Sequence, residues 1–293
     1  MKLSLPSWLG HPSTRGLDLD DPATTAARRT VVAGKPLLRD VYREWYDVIA
    51  SSLPPEPGPV LEVGSGAGFL EEHIPDLLPP EVFLCPWVGL VLSGEALPFS
   101  DGTLRAIVMI NVLHHLERPS FFLAEAARCF REGGVVSMIE PWNTPWSRWI
   151  HRLLHHEPFQ VDAGWETVWT GPLSGGNGAL PWILFERDRD RFLRFHPEWH
   201  LRCVQPVTPI RYLVAGGISG RSLAPGCTAG LWRRVERILS PLREFLGMFA
   251  HLVLERRSSP LCAARDEVAP AATEGARRSP ARRPGTVPEP RSS

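Results

Sequence analysis

The sequence predicts an α/β fold, a mostly parallel sheet with helices on both faces and an irregular insertion on one side. Three observations carry this. Short apolar runs at Val60-Leu61-Glu62-Val63, Ile107-Val108-Met109-Ile110 and Val135-Val136-Ser137-Met138-Ile139 have strand length and no alternation, as central parallel strands covered on both faces do. Helical patterns alternate with them, which implies βαβ units. Glycines follow the first run directly, in Gly64-Ser65-Gly66-Ala67-Gly68.

The elements follow in order. Residues 1–34 are polar with little periodicity and are expected to be a loose arm. From Pro36 to Leu53, the residues Leu37, Leu38, Val41, Trp45, Val48, Ile49 and Leu53 recur at steps of three and four, an amphipathic helix that Pro54, Pro55 and Pro57 stop. A helix is expected from Gly68 to Leu78, shortened or kinked by Pro75, and another from Pro119 to Phe130. Residues 142–200 are rich in Trp, His, Pro and Gly and read as an insertion. Residues 201–206 and 247–255 are expected to be a closing pair of strands with a helix near 231–245 between them. From 257 to 293 prolines recur and large apolar residues nearly vanish, so this tail is expected to be disordered. The expected organisation is thus an arm (1–34), one domain (35–256, divided at 141–142) and a tail (257–293).

Composition narrows the function classes. The 293 residues have zero formal net charge, which gives no electrostatic case for nucleic acid. The tail arginines Arg277, Arg278, Arg282 and Arg283 lie near acidic residues without interleaved aromatics, and a solvated tail is the expectation. No apolar stretch approaches the ~18 residues a membrane span needs. Pro6 and Gly10 interrupt the apolar core a secretory signal would require, so a cytoplasmic protein is expected. Five scattered cysteines form no CxxC pair, and neither a metal site nor a disulfide framework is expected.

The glycine loop is the richest signal. An acidic residue, then glycines, then a helix start makes a cofactor cradle, because glycines let the backbone approach a ligand and the helix start offers unpaired N–H groups. A dinucleotide loop needs Gly-x-Gly-x-x-Gly, and here Phe69 occupies the third glycine's place. Glu62 also sits badly beside a pyrophosphate and suits a cofactor carrying positive charge. A plain tight turn is the structural alternative.

The segment Val60 to Gly68 resembles the first motif of the class I S-adenosylmethionine-dependent methyltransferases, and within them the type 11 group. The resemblance continues in order from about residue 36 to 141. It implies a Rossmann-like sheet of seven strands, the last antiparallel, with S-adenosylmethionine as cofactor. By the same resemblance Glu62, Gly64, Ser65, Gly66 and Gly68 form the cofactor loop, and Glu81 in Pro79-Pro80-Glu81-Val82-Phe83 answers the ribose hydroxyls. In Ser93-Gly94-Glu95-Ala96-Leu97-Pro98-Phe99, Ser93 stands where the family has Asp beside the adenine amine. Gly94 offers backbone to the ring and Glu95 compensates. Asn111 opens Asn111-Val112-Leu113-His114-His115-Leu116, which matches the family's polar residue and His-containing turn. Arg131-Glu132-Gly133-Gly134 replaces the usual Pro-Gly-Gly.

Methyl transfer relies on positioning, with a general base where the nucleophile needs one. His114 and His115, beside the expected cofactor, are candidates, although neighbouring side chains need not point the same way. Glu140, ending the third apolar run, is another; capping a loop is its alternative. His155-His156 is expected to be helical surface. The tryptophans Trp142, Trp146, Trp149, Trp165, Trp169 and Trp182 read either as core or as the wall of a pocket for a lipophilic or aromatic small-molecule acceptor. The glycine-rich segment from Gly171 to Gly178 resembles a lid. A non-catalytic cofactor-binding or scaffold protein on the same fold is the competing function.

Overall fold

Glycine and proline placement decides where each strand ends and where the chain must turn. The computed structural model describes residues 10–14, 16–154, 157–166 and 170–257. The expectations for His155-His156, Trp169 and the tail from 258 onward lie outside these residues.

The first helix, α1 (Pro22–Gly34), occupies part of the segment expected to be a loose arm. Asp21 explains the difference: its carboxylate accepts from Ala23 N at 2.7 Å, and Pro22 stands in the first turn, where no N–H is needed. The amphipathic stripe forms α2 (Pro36–Ser52), which buries Leu37, Leu38, Val41, Tyr42, Trp45, Tyr46 and Ile49.

The sheet holds β1 (Val60–Glu62), β2 (Leu77–Leu78), β3 (Leu104–Ile110), β4 (Phe130–Pro141), β5 (Trp199–Val207) and β6 (Phe249–Arg256). Their order is β2-β1-β3-β4-β6-β5. The first four run parallel, and β6 is antiparallel to both β4 and β5. α3 (Pro119–Cys129) joins β3 to β4, and α4 (Pro145–Leu154) follows β4.

The sheet has six strands rather than the expected seven. At the outer edge only one parallel bridge forms, between Glu81 and Val91, secured by Glu81 N to Leu90 O and Leu92 N to Glu81 O. Pro79, Pro80 and Pro86 cannot donate to a ladder, so no longer pairing grows there. The helix expected over 68–78 is likewise reduced to one 3-10 turn, Leu70–Glu72. Pro75 and a left-handed Asp76 (φ 62°) turn the chain straight into β2.

Each strand contributes alternate residues to two apolar layers. Leu61, Ile107 and Met109 pack with Phe122, Leu123 and Ala126 of α3. Val60, Ala106 and Val108 pack with Leu38, Val41, Trp45 and Ile49 of α2. A sheet covered on both faces leaves the carboxyl ends of its parallel strands as the open edge, where ligands bind in such folds.

Candidate functional site

At that edge lies a cleft of 860 Å³, bounded by the glycine loop, the turn after β3, parts of α1 and α2, and the loop around residues 216–221. The glycine loop leaves β1 at Glu62. Gly64 (φ 68°) and Gly66 (φ 45°) both take left-handed torsions. A Cβ on Gly64 would stand 2.7 Å from Val112 Cγ2, so the close approach of this loop to the β3 turn requires glycine.

Glu81 is 4% exposed and braces the loop from the neighbouring strand edge. Its Oε2 accepts from Gly66 N at 2.5 Å and its Oε1 from Val82 N at 2.8 Å. Each oxygen keeps a further lone pair for a ligand hydroxyl. Burial raises its pKa, against the two backbone hydrogen bonds that lower it. Glu62 is more extreme. Burial first, then the negative charges of Glu71 and Glu81, push its carboxyl up to about 8, with Arg29 opposing.

Three buried polar atoms around this loop have no hydrogen-bond partner among the described residues: Glu62 Oε2, Ser65 Oγ and Asn111 Oδ1. Buried polar atoms are normally paired, so three in one cleft mark a place where a polar ligand is the missing partner. Asn111 is also held at φ 57°, at the exit of β3. Glycine torsions, a buried carboxyl that a cation would ionise and unpaired polar atoms fit a cofactor with ammonium and hydroxyl donors.

On the adenine side of the expectation, Ser93 Oγ accepts from Glu95 N at 3.3 Å, and Gly94 packs near Val63, Leu116 and Phe122. Both line the cleft. Glu95 also reaches its wall, but its carboxylate is engaged by Arg118, at 3.1 Å from Nε and 2.8 Å from Nη2, and accepts from Arg118 N at 2.8 Å. It therefore reads as a clamp on the entry to α3 rather than as a substitute for the missing Asp.

Glu140 does not face the cleft, and this corrects its reading as a base. It is fully buried. Its Oε1 accepts from Val112 N (2.8 Å) and Leu113 N (2.7 Å), and its Oε2 lies 2.6 Å from His114 Nδ1. The carboxylate thus shapes the turn, as in the capping alternative, and orients His114. That turn is the 3-10 segment Leu113–His115, and it brings both histidine rings to the cleft with centroids 4.2 Å apart. Burial lowers the pKa of His114, but Glu140 and then Glu157 outweigh it and carry it to about 10. Burial and the adjacent His114 push His115 down to about 4. His115 Nδ1 lies 2.6 Å from Gly175 O, so in the neutral ring Nδ1 carries the hydrogen and Nε2 the lone pair.

The glycine-rich segment is tied down rather than loose. Asp20 accepts from Leu173 N, Ser174 N and Ser174 Oγ, and Asn177 N donates to His114 O. The tryptophans pack elsewhere: Trp142 in the core, Trp146 stacked on Trp149, and Trp165 against Phe192 and Phe195. Among the described residues none of them lines the cleft. Its apolar wall comes instead from Ile110, Ile150, Met248 and Phe249. Sequence reasoning also missed Thr25 and Arg28 of α1, Tyr42 and Tyr46 of α2, and Glu157. The two tyrosines stand four residues apart on a face already read as buried, and that spacing was the available signal.

Residues 79–138 match the family model described as "Methyltransferase domain". No curated protein matches the chain. Among solved structures, a chain of the Haloferax volcanii complex containing the Trm112 methyltransferase activator is similar at 13% identity. The match covers 83% of this chain and 100% of that one, with a TM-score of 0.47. Geranyl diphosphate C-methyltransferase from Streptomyces coelicolor, solved with Mg2+, geranyl diphosphate and S-adenosyl-L-homocysteine, is similar at 13% identity, with 87% and 92% covered and a TM-score of 0.46. An S-adenosylmethionine-dependent methyltransferase from Mesorhizobium loti is similar at 12% identity, with 77% and 100% covered and a TM-score of 0.41. Residues 79–138 thus match a methyltransferase domain, and the glycine loop lies just ahead of that stretch, on the cleft at the same sheet edge.

Proposed function

We propose that the protein methylates a small, largely apolar acceptor, with the cofactor held by the loop Glu62–Gly68 and by Glu81, Ser93, Gly94 and Asn111. The observation that carries the cofactor assignment is the set of unpaired buried atoms Glu62 Oε2, Ser65 Oγ and Asn111 Oδ1 around the glycine loop. Bound S-adenosylmethionine supplies an electrophilic methyl group. The chain's own contribution is to hold the acceptor in line and keep water away.

Two features support a small, apolar acceptor. The cleft volume of 860 Å³ lies within the ~300–1,000 Å³ typical of small-molecule sites. Ile110, Ile150, Met248 and Phe249 give it apolar walls, while His114, His115 and Glu157 form its main polar cluster away from the glycine loop. His114 and His115 are the acceptor-side residues in this reading, and Glu140 is a positioning residue behind them. No helix among the described residues is long and apolar enough to cross a membrane. Cytoplasmic location belongs to the same proposal and is checked by cell fractionation.

Calorimetry with S-adenosylmethionine, S-adenosylhomocysteine and NAD tests the cofactor side. Binding of NAD alone would overturn it. Labelled methyl donor added to extracts of cells lacking the protein tests the acceptor side, and label found only in protein or nucleic acid would defeat the small-molecule reading.

A further inference from the structure

The turn after β3 and the insertion bring two adjacent histidines together with a carboxylate distant in sequence. One nitrogen of His114, one of His115 and one carboxylate oxygen of Glu157 lie within 4.8 Å of one another. His114 Nε2 stands 3.5 Å from Glu157 Oε2, and His115 Nε2 stands 4.0 Å from Glu157 Oε1. For bonds of about 2.0–2.1 Å in tetrahedral geometry, ligand atoms are about 3.4 Å apart. The pair at 3.5 Å already matches that edge, while the pair at 4.0 Å and the 4.8 Å span of the set require the side chains to draw in by about an ångström.

The outer nitrogens are already committed in the manner metal-binding histidines need. A histidine that ligates through Nε2 almost always donates its Nδ1–H to a carboxylate or carbonyl, which fixes tautomer and ring orientation. Here His114 Nδ1 meets the buried Glu140 carboxylate at 2.6 Å, and His115 Nδ1 meets Gly175 O at 2.6 Å. Both Nε2 atoms are thereby aimed at Glu157. A divalent cation would displace the proton that His114 holds between Glu140 and Glu157, so binding releases a proton. All three ligands line the cleft, so coordination positions stay open towards it.

We infer that His114, His115 and Glu157 form a binding site for a divalent transition metal on the acceptor side of the cleft. Two nitrogens and one carboxylate select zinc, cobalt or iron(II) over magnesium and calcium, which prefer oxygen ligands. An open position would take an acceptor oxygen, so the acceptor class becomes one with a hydroxyl or carboxylate near its apolar body. Only this assignment of the metal's use rests on the methyltransferase reading; the binding site itself does not.

The test uses the full chain, stripped with a chelator and desalted, then titrated with Co2+ alone by calorimetry and visible absorption. One equivalent with ligand-field bands is expected. His115→Ala and Glu157→Gln, changed separately at the partly exposed positions, should each weaken Co2+ binding by more than 100-fold. Glu140→Gln should weaken it by about 10–100-fold, the usual effect of losing a partner behind a ligand. S-adenosylhomocysteine is titrated into the same samples and should still bind to His115→Ala and Glu157→Gln. If wild type binds S-adenosylhomocysteine but no Co2+, or if both variants bind Co2+ as tightly as wild type, the metal site is overturned. If Co2+ binds with this ligand dependence while S-adenosylhomocysteine does not bind, the cofactor reading falls and the metal site stands.

Discussion

Lowering the pH from 8 to 6 should weaken cofactor binding about twentyfold, and Glu62→Gln should abolish that rise with pH. Glu62 is the source of the effect. Burial, then Glu71 and Glu81, push its carboxyl up to about 8, Arg29 opposes them, and the Tyr46 hydroxyl lies on the adjoining face of α2. Pairing with the ligand's ammonium requires the carboxylate. An acid of pKa about 8 is about 1% ionised at pH 6 and about half ionised at pH 8, while an α-ammonium with its usual pKa near 7.8 is largely charged at pH 6 and about 40% charged at pH 8. The product of the two rises from about 0.01 to about 0.2, which is about 20-fold or ~1.8 kcal/mol, and falls again by pH 9. Stability without ligand runs the other way. The folded chain keeps a proton that the unfolded chain releases above its ordinary carboxyl pKa, so the protonated Glu62 favours folding at low pH. That advantage is lost as pH rises from about 4.5 towards 8. Calorimetry with S-adenosylhomocysteine at pH 6, 7, 8 and 9, repeated in buffers of different ionisation enthalpy, reads both the affinity and the proton released on binding, close to one near pH 6.5. A flat affinity between pH 6 and 8, or an unchanged rise in Glu62→Gln, would refute the reasoning.

Gly64→Ala should destabilise the fold by ~1–3 kcal/mol and impair S-adenosylhomocysteine binding, because the alanine inherits both a left-handed torsion and a contact at 2.7 Å with Val112. Adding Val112→Ala should recover the part due to the contact and leave the torsional part, as read by thermal unfolding of the pair. Glu81→Ala strips Gly66 N and Val82 N of their acceptor and should cost ~1–3 kcal/mol in denaturant unfolding, whereas Glu81→Gln keeps an acceptor and recovers most of it. Away from the cleft, Arg211 is 2% exposed and pairs with Glu236 at 2.5 Å and with Asp40 at 3.1 Å. Arg211→Ala leaves Glu236 buried without its cation and should lower stability by ~3–5 kcal/mol, measured as a shift in urea midpoint. An unchanged midpoint would show the cluster to be dispensable.

What the sequence disclosed was mostly local. The glycine loop could be read because its demands fall within seven consecutive residues, and β3 and β4 because continuous apolar runs have few other uses in a soluble chain. The closing pair was expected on weaker periodicity; β5 extends its run by two residues at the start and one at the end, while β6 starts two residues later and ends one later than expected. The failures were questions of competition. Pro79 and Pro80 left a single bridge where a strand was expected, because a strand needs donors on consecutive partners. A capping aspartate outweighed weak periodicity to form α1, and that helix then supplied Thr25 and Arg28 to the cleft.

The histidine pair shows why the acceptor side was harder to read than the cofactor side. Adjacent residues in a strand point to opposite faces, so one of His114 and His115 would turn away if β3 simply continued. It does not continue, because Glu140, 26 residues after His114 and at the end of the next strand, takes up Val112 N and Leu113 N and closes the 3-10 turn. The same carboxylate fixes the ring of His114, and a carbonyl 60 residues after His115 fixes the other ring. The residue types that make this cluster were plain in the sequence, but the instruction to face one another is distributed over three segments joined only by the fold. Changing Glu140 should therefore disturb both rings at once although it touches only one. Glu140→Gln, which keeps an acceptor for the two backbone donors, separates the loss of charge behind His114 from the collapse of the turn that Glu140→Ala would cause.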